Sequence, residues 1–178
     1  MKENIVKECS EFIKEAQGKP LVRFLPSEGE DERKIKVRKR KKNTSFDNLF
    51  NTVFSSHPDL RQRCIFANGI KGIKKVEPYT EQGTEPFYIF PVNGFKFMYS
   101  PLVFHSSSQY RDAFEEIISA MGPEGAIETF SEVLKYDYVS ADISKGLQQG
   151  CEIIVYGIPY FYAVRKDSVI SYSTLFSL

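Results

Sequence analysis

The sequence has no tryptophan, two histidines and three cysteines among its 178 residues. Cys9, Cys64 and Cys151 are odd in number and far apart, which argues against a disulfide framework and against a zinc site. We therefore expect buried, reduced thiols and no metal. His57 and His105 have no neighbouring Asp or Glu to orient them for nucleophilic catalysis, so we expect them to be capping or surface residues.

Long apolar runs and the common catalytic motifs are also missing. No stretch approaches the roughly 20 apolar residues that span a bilayer, and the first residues show no signal peptide. These absences predict a cytoplasmic protein that is neither secreted nor membrane-bound. The phosphate loop, the dinucleotide fingerprint, the zinc-protease motif and the nucleophile elbow are absent, which excludes the enzyme classes that depend on them.

The composition is that of a globular protein, with 42% hydrophobic and 26% charged residues, and 15 Phe and 10 Tyr. Phe and Tyr favour strands and fill large cores. Helical and strand-like segments interleave without a regular β-α-β alternation. This pattern predicts a single α+β domain over residues 1–178, with helices packed around a mainly antiparallel mixed sheet. A helix is expected within residues 1–19, where apolar residues repeat at three and four positions.

Two pairs of strands are expected to form hairpins. Asn93-Gly94 separates the apolar runs Phe87 to Val92 and Phe95 to Tyr99, and Asn-Gly is the strongest short hairpin signal. Cys151 to Tyr156 and Tyr160 to Arg165 flank a second short turn, so we expect these two strands to pair as well.

Two segments are expected to be less regular. Residues 70–85 contain several turn formers, which predicts a long loop of the kind that often forms a functional lid. Residues 28–43 form a charged hairpin or loop, in which an acidic patch precedes eight cations within residues 33–42. A basic run of this kind can contact phosphate or nucleic acid. The candidate contact residues are Arg38, Lys39, Arg40, Lys41 and Lys42.

Two charged residues interrupt apolar strands. Glu152 lies in Gly-Cys-Glu-Ile-Ile-Val-Tyr, and Arg23 lies in Pro-Leu-Val-Arg-Phe-Leu. Each side chain must line a cleft, pair with an opposite charge, or point to solvent from a polar sheet face. An arginine in this setting can pair with a carboxylate or bind a phosphate in a bidentate manner.

These segments resemble the ADP-ribosyltransferases, which divide an NAD site among three strands. Leu21-Val22-Arg23-Phe24 is similar to the first strand, Arg63 to Asn68 occupies the place of the second, and Gly150 to Val155 resembles the strand that carries the catalytic glutamate. The resemblance implies that Glu152 is catalytic and that NAD is bound by Arg23, Asn68, and an aromatic ring that stacks on nicotinamide. The candidate rings are Tyr88, Tyr99 and Phe97.

The chain departs from this family at two places. Ala67 and Asn68 replace hydroxyl residues, and Gly150 stands where members that modify arginine or asparagine carry Glu or Gln. The departures imply either a different acceptor, such as a nucleic-acid base or phosphate, or a catalytically degenerate protein. The chain is also similar to small bacteriophage proteins with a basic segment, an aromatic-rich hairpin and a terminal Glu-Ile-Ile strand. That similarity implies a host-cytoplasmic or virion-associated location.

Two other functions stay open. A compact domain without a clear catalytic cluster can be a viral structural or assembly protein, with edge strands and the charged segment as docking surfaces. The basic segment 33–42 can instead make the chain a nucleic-acid-binding module. The expected partner is accordingly another protein, either a host target or a virion component, or a nucleic acid.

Overall fold

A computed structural model of the chain describes residues 1–41, 44–57, 59–168 and 175. In this part of the chain the α-helices are α1 (Lys2–Glu8), α2 (Ser10–Ala16), α3 (Ser45–Val53), α4 (Ile73–Val76), α5 (Ser106–Asp137) and α6 (Ile143–Gln149). Short 3-10 turns at Ile70–Gly72 and Glu77–Tyr79 flank α4. The strands are β1 (Leu21–Pro26), β2 (Glu32–Lys36), β3 (Ile65–Gly69), β4 (Thr84–Pro91), β5 (Lys96–Tyr99), β6 (Glu152–Tyr156) and β7 (Tyr160–Arg165).

The seven strands form one sheet in the order β2-β7-β4-β1-β3-β6-β5. Every strand pairing among the described residues is antiparallel. The predicted α+β class with a mainly antiparallel sheet is therefore confirmed. None of the helices in the described ranges is both long and apolar enough to cross a membrane.

Helices cover both faces of the sheet, and each face has its own apolar cluster. One cluster joins α1, α2 and α6 to the sheet through residues such as Phe12, Leu147 and Ile153. The other joins α3 and α5 to the sheet through residues such as Phe50 and Ile154. Because side chains alternate along a strand, successive residues of β6 contribute to opposite clusters. By this alternation, Glu152 lies on the same face as Ile154, toward α3 and α5.

The predicted strands exist, but both predicted hairpins are wrong. β4 pairs with β1 and β7, whereas β5 pairs with β6, so the two strands beside Asn93-Gly94 lie far apart in the sheet. β6 and β7 are likewise separated. The side chain of Asn93 instead binds the N-terminal helical region, where its Oδ1 accepts from Glu11 N at 3.0 Å. The long connections place β1, β3 and β6 side by side.

The N-terminal helix is divided in two at Cys9, which ends α1 and precedes α2. The backbone N–H of Asn93 donates to Glu8 O at 2.7 Å at this break. The break therefore forms where the turn after β4 meets the helices. A second break lies within α5 at Gly122, whose φ of 80° and ψ of 168° are not helical. Glycine adopts this conformation without strain, and Pro123, which follows it, cannot donate a helical hydrogen bond.

The two segments expected to be irregular contain short regular elements. Residues 70–85 include α4, the two 3-10 turns and the start of β4. Within residues 28–43, β2 pairs with β7 at the edge of the sheet. Lys42 and Asn43 lie outside the described residues, as does most of the tail 168–178.

Candidate functional site

A cavity of about 360 Å³ opens where β1 and β3 separate. The two strands share only two paired positions, Leu21 with Gly69 and Val22 with Asn68, whereas β1 stays paired with β4 along five residues. Beyond Val22, the edge of β1 that faces β3 is open. The cavity volume lies within the usual range for small-molecule sites.

Arg23, Asn68 and Glu152 all line this cavity. Asn68 and Glu152 are direct partners across β3 and β6, and Val22 continues the row on β1. Strict alternation would turn Arg23 to the other face of the sheet. Arg23, however, lies past the point where the strands separate, and it lines both this cavity and a smaller one of about 160 Å³ beside it. Three residues from distant parts of the sequence thus meet in one place.

The carboxylate of Glu152 is buried at the start of α5. Both of its oxygens lie 3.3 Å from the backbone nitrogen of Ser106, the first residue of the helix. Its own backbone N–H donates to Val103 O at 2.9 Å. The N-terminus of a helix carries a partial positive charge, and the carboxylate lies directly against it. The same contacts also satisfy one free N–H group of the helix, which is a structural role.

Arg61 supports this arrangement from inside the protein. Its guanidinium donates to Ser106 Oγ at 2.7 Å and forms an ion pair with Asp47 at 2.9 Å. It also packs over three aromatic rings, of which Phe66 is the nearest at 4.5 Å from the ring centre. Arg61 is only 2% exposed and does not line the cavity, so it fixes Ser106 from inside the protein. Arg61 had no signal in the sequence beyond its charge.

Arg23 and Asn68 retain polar groups that a ligand can use. Asn68 Nδ2 donates to Phe104 O at 2.8 Å, which orients the amide. Within the described residues, the Arg23 guanidinium makes no hydrogen bond and no ion pair. Burial lowers the pKa of Arg23, and the Glu152 carboxylate opposes that shift. An arginine keeps its charge in proteins, so Arg23 presents a largely unpaired cation to the cavity.

Arg40 supplies a second cation. Its Nη2 donates to Arg61 O at 2.5 Å, and its guanidinium lies 4.7 Å from the centre of the Phe66 ring. These contacts hold the side chain across the cavity wall. The sequence predicts Arg40 as a nucleic-acid or phosphate contact, and the structure places it on the wall of this cavity.

Tyr79, Glu81 and His105 line the cavity and were not predicted as site residues. The rings of Tyr79 and His105 stack with centroids 4.8 Å apart and planes 9° apart. Nδ1 of His105 lies 2.9 Å from Ser108 Oγ. Residues 70–85 therefore meet the start of α5 at the cavity. The turn formers in 70–85 were the available signal, but they did not identify which ring would face inward.

The rings predicted to stack on nicotinamide are elsewhere. Tyr99 is buried on the α1, α2 and α6 face, where Phe97 also packs. Tyr88 pairs with Val22, so it shares the sheet face of Glu152, but it is buried two strands beyond β3. The ring of Tyr99 lies against Gly146 of α6. Neither Tyr88 nor Tyr99 lines the cavity that holds Arg23, Asn68 and Glu152. The sequence places these residues on strands, but where each ring lies in the fold depends on which strands pair.

The remaining basic residues are spread around the site. Arg38 lines the smaller cavity that Arg23 shares. Lys39 and Lys41 line a separate groove next to α3, and Lys39 is paired with Asp59 at 3.0 Å. Lys42 lies outside the described residues. Arg40 is the member of this run that lines all three openings.

Gly150 cannot carry the acidic residue found at this position in arginine-modifying transferases. Its φ is +80°, and a Cβ atom there would lie 2.5 Å from Gly72 N. Gly72 in turn lies close to Gly150 O, so the end of α6 packs directly on the backbone before α4. The fold therefore requires glycine here, whatever the function.

Comparisons with protein-family models, curated proteins and solved structures find no match for the chain.

Proposed function

We propose that the cavity between β1, β3 and β6 binds NAD and that the protein is an ADP-ribosyltransferase with Glu152 as its catalytic carboxylate. The observation that carries this proposal is the meeting of Arg23, Asn68 and Glu152 in one cavity. The resemblance named these three residues from short segments up to 129 positions apart in the sequence. Because the three residues line one cavity, they can act on one ligand. This argument uses only their positions and needs no similarity over the rest of the chain.

The two arginines suit a dinucleotide that carries two phosphates. Arg23 has no ionic partner among the described residues, and Arg40 is held on the cavity wall by Arg61 O. Guanidinium groups bind phosphate oxygens through paired N–H donors. Arg23 is accordingly the principal phosphate ligand, and Arg40 supports it. Asn68, oriented by Phe104 O, hydrogen-bonds the ribose next to nicotinamide.

Glu152 stabilises the charge that develops when nicotinamide leaves. The bond between ribose C1′ and the cationic nicotinamide nitrogen breaks, and its electron pair leaves nicotinamide neutral. Positive charge passes to the ribose until the acceptor bonds to C1′ with an electron pair of its own. A carboxylate about 4 Å from this charge contributes about 4 kcal/mol at an effective dielectric constant of about 20. This corresponds to roughly a thousandfold in rate. The Ser106 N–H fixes the carboxylate before the reaction begins.

The stacked rings of Tyr79 and His105 take the place proposed earlier for Tyr88 and Tyr99. They are on the cavity, and His105 directly precedes the residue that binds Glu152. A planar ring attached to the ribose beside Glu152 therefore lies next to this pair. Aromatic stacking contributes about 1–3 kcal/mol per base in nucleotide-binding proteins.

The acceptor does not use an acidic residue two positions before Glu152, because Gly150 excludes any side chain there. A weakly basic acceptor, such as a nucleic-acid base or phosphate, does not require deprotonation by that carboxylate. Glu81, on the cavity wall, is the other carboxylate that the described residues place at the site.

The test is transfer of label from adenylate-labelled NAD to a bacterial extract, together with nicotinamide release. The unmodified protein is compared with Glu152→Gln, whose amide oxygen still accepts from Ser106 N and keeps the helix start intact. We expect the variant to lose roughly a thousandfold in rate. Equal turnover by the two proteins, or no turnover by the folded unmodified protein, contradicts the proposal.

A further inference from the structure

A second opening, which we call the basic groove, lies between residues 39–41 and α3. It has a volume of about 670 Å³. Its lining combines cations with amide and hydroxyl side chains. The lining residues are Lys39, Arg40, Lys41, Asn48, Asn51, Thr52, Ser55, Asp59 and Gln62. Lys39 and Lys41 do not line the cavity that holds Glu152, so the basic groove is a separate site.

The charge of the basic groove is positive. Among the described residues that line it, Asp59 is the only carboxylate, and it faces three cations. Asp59 binds Lys39 at 3.0 Å and Arg63 at 3.5 Å, so one negative charge is shared by two cations. Lys39 is 51% exposed, so it stays accessible to a ligand in the groove, whereas Arg63 lies outside the lining.

The acidic patch that precedes the basic run does not neutralise the groove. That patch lies at the start of β2, and the five residues of β2 span about 16 Å. Asp31 is paired with Arg165, and Glu32 lies 4.0 Å from the N-terminal amine. Asp31 and Glu32 are thus paired with nearby cations at one end of β2, and the basic groove begins beyond the other end of that strand.

The polar side chains point to a phosphodiester ligand rather than to an acidic protein. Asn51 Nδ2 donates to Gln62 Oε1 at 2.7 Å, and Arg61 N donates to Asn51 Oδ1 at 2.9 Å, so this part of the wall is fixed. Amide and hydroxyl groups beside Lys and Arg are the usual contacts to phosphate and sugar oxygens. The guanidinium of Arg40, which stacks on Phe66, is a planar donor of the kind that phosphates bind.

We infer that the basic groove binds the phosphate backbone of a nucleic acid through Lys39, Arg40 and Lys41. This inference does not depend on the proposed NAD chemistry, because Lys39 and Lys41 line the groove and not the cavity that holds Glu152, although Arg40 borders both. Binding of this type is strongly salt-dependent, since each phosphate contact releases a counterion.

Fluorescence anisotropy with labelled 20-nucleotide single-stranded RNA, single-stranded DNA and duplex DNA tests the inference. The key variant is Lys39→Gln/Lys41→Gln, and the matched control is Lys14→Gln/Lys135→Gln, which removes the same charge from exposed lysines elsewhere. On a single strand each contact contributes about 0.7 to the slope of log affinity against log salt. We expect the key variant to reduce that slope by about 1.4 and to bind at least about tenfold more weakly at about 0.1 M salt.

The three nucleic acids distinguish the source of the phosphodiester, and preferential binding of any of them supports the inference. No binding by the unmodified protein at about 0.05 M salt overturns it, as does an equal loss in the control variant. Equal binding of polyglutamate also overturns it, because the groove would then recognise charge alone. NAD binding by the key variant is measured in parallel and is expected to be unchanged.

Discussion

Replacing Arg61 tests how the protein holds Glu152 in place. Arg61→Met removes the ion pair to Asp47 and the hydrogen bond to Ser106 Oγ, but it retains an apolar chain among the aromatic rings. Breaking a buried pair usually costs about 3–5 kcal/mol. Asp47 keeps bonds to Thr44 and is 15% exposed, so we expect the lower end, about 3 kcal/mol.

Urea unfolding measures this loss. With a slope of about 2 kcal/mol per molar urea, the midpoint should fall by about 1.5 M, and the melting temperature by about 6–12 °C. The control is Arg111→Met, because Arg111 pairs with Asp112 at the surface and is 44% exposed. We expect it to change stability by less than about 0.5 kcal/mol.

A double-variant cycle isolates the ion pair. In the Arg61→Met protein the Asp47 carboxylate has lost its ion pair, and the added change Asp47→Asn removes that unpaired charge. The double variant should therefore be more stable than the sum of the two single changes predicts, by about 1–3 kcal/mol. An Arg61→Met protein as stable as the control, or strictly additive losses, would refute the role given to Arg61.

Two further predictions concern the backbone and the thiols. Gly150→Ala should abolish folding, whereas Gly94→Ala should cost only about 1–2 kcal/mol in urea unfolding. Both glycines have φ near +80°, but only Gly150 has a backbone atom, Gly72 N, within 2.5 Å of the added Cβ, so equal losses would contradict the account. A thiol reagent at pH 8 should label the native protein very slowly and all three cysteines after denaturation. Burial raises the pKa of Cys9 to about 12 and that of Cys64 to about 11, so neither forms thiolate at that pH; rapid native labelling would show that these thiols are accessible.

Local patterns predicted the elements better than their pairing. Asn93-Gly94 indicated a hairpin, but the turn binds Glu8 and Glu11, and its flanking strands pair with other partners. The sheet order depends on contacts between residues far apart in sequence, which a short window cannot show. The break within α5 at Gly122 has a purely local cause, because glycine tolerates a positive φ and Pro123 cannot donate a helical hydrogen bond.

In the candidate site, too, local patterns identify residues, whereas long-range contacts decide where those residues lie. Arg23 and Glu152 were noticed because a charge within an apolar strand needs a cleft, a partner or solvent. Ring type alone makes Tyr88 and Tyr99 candidates, but strand pairing turns Tyr99 to the opposite core and buries Tyr88 on β4, away from the cavity. Tyr79 and Arg61 carried no local signal, since their roles depend on His105 and Ser106 at the start of α5.

Calorimetric titration with NAD tests most directly whether Arg23, Asn68 and Glu152 form one ligand site. The comparison is between the unmodified protein and Arg23→Gln, with Arg111→Gln as the exposed control. We predict saturable binding at one site per chain and a loss of about tenfold or more in Arg23→Gln, because a charge-assisted bond to phosphate contributes about 1.5–3 kcal/mol. The control should bind as the unmodified protein does. No binding of NAD, or equal binding by Arg23→Gln, would contradict the account.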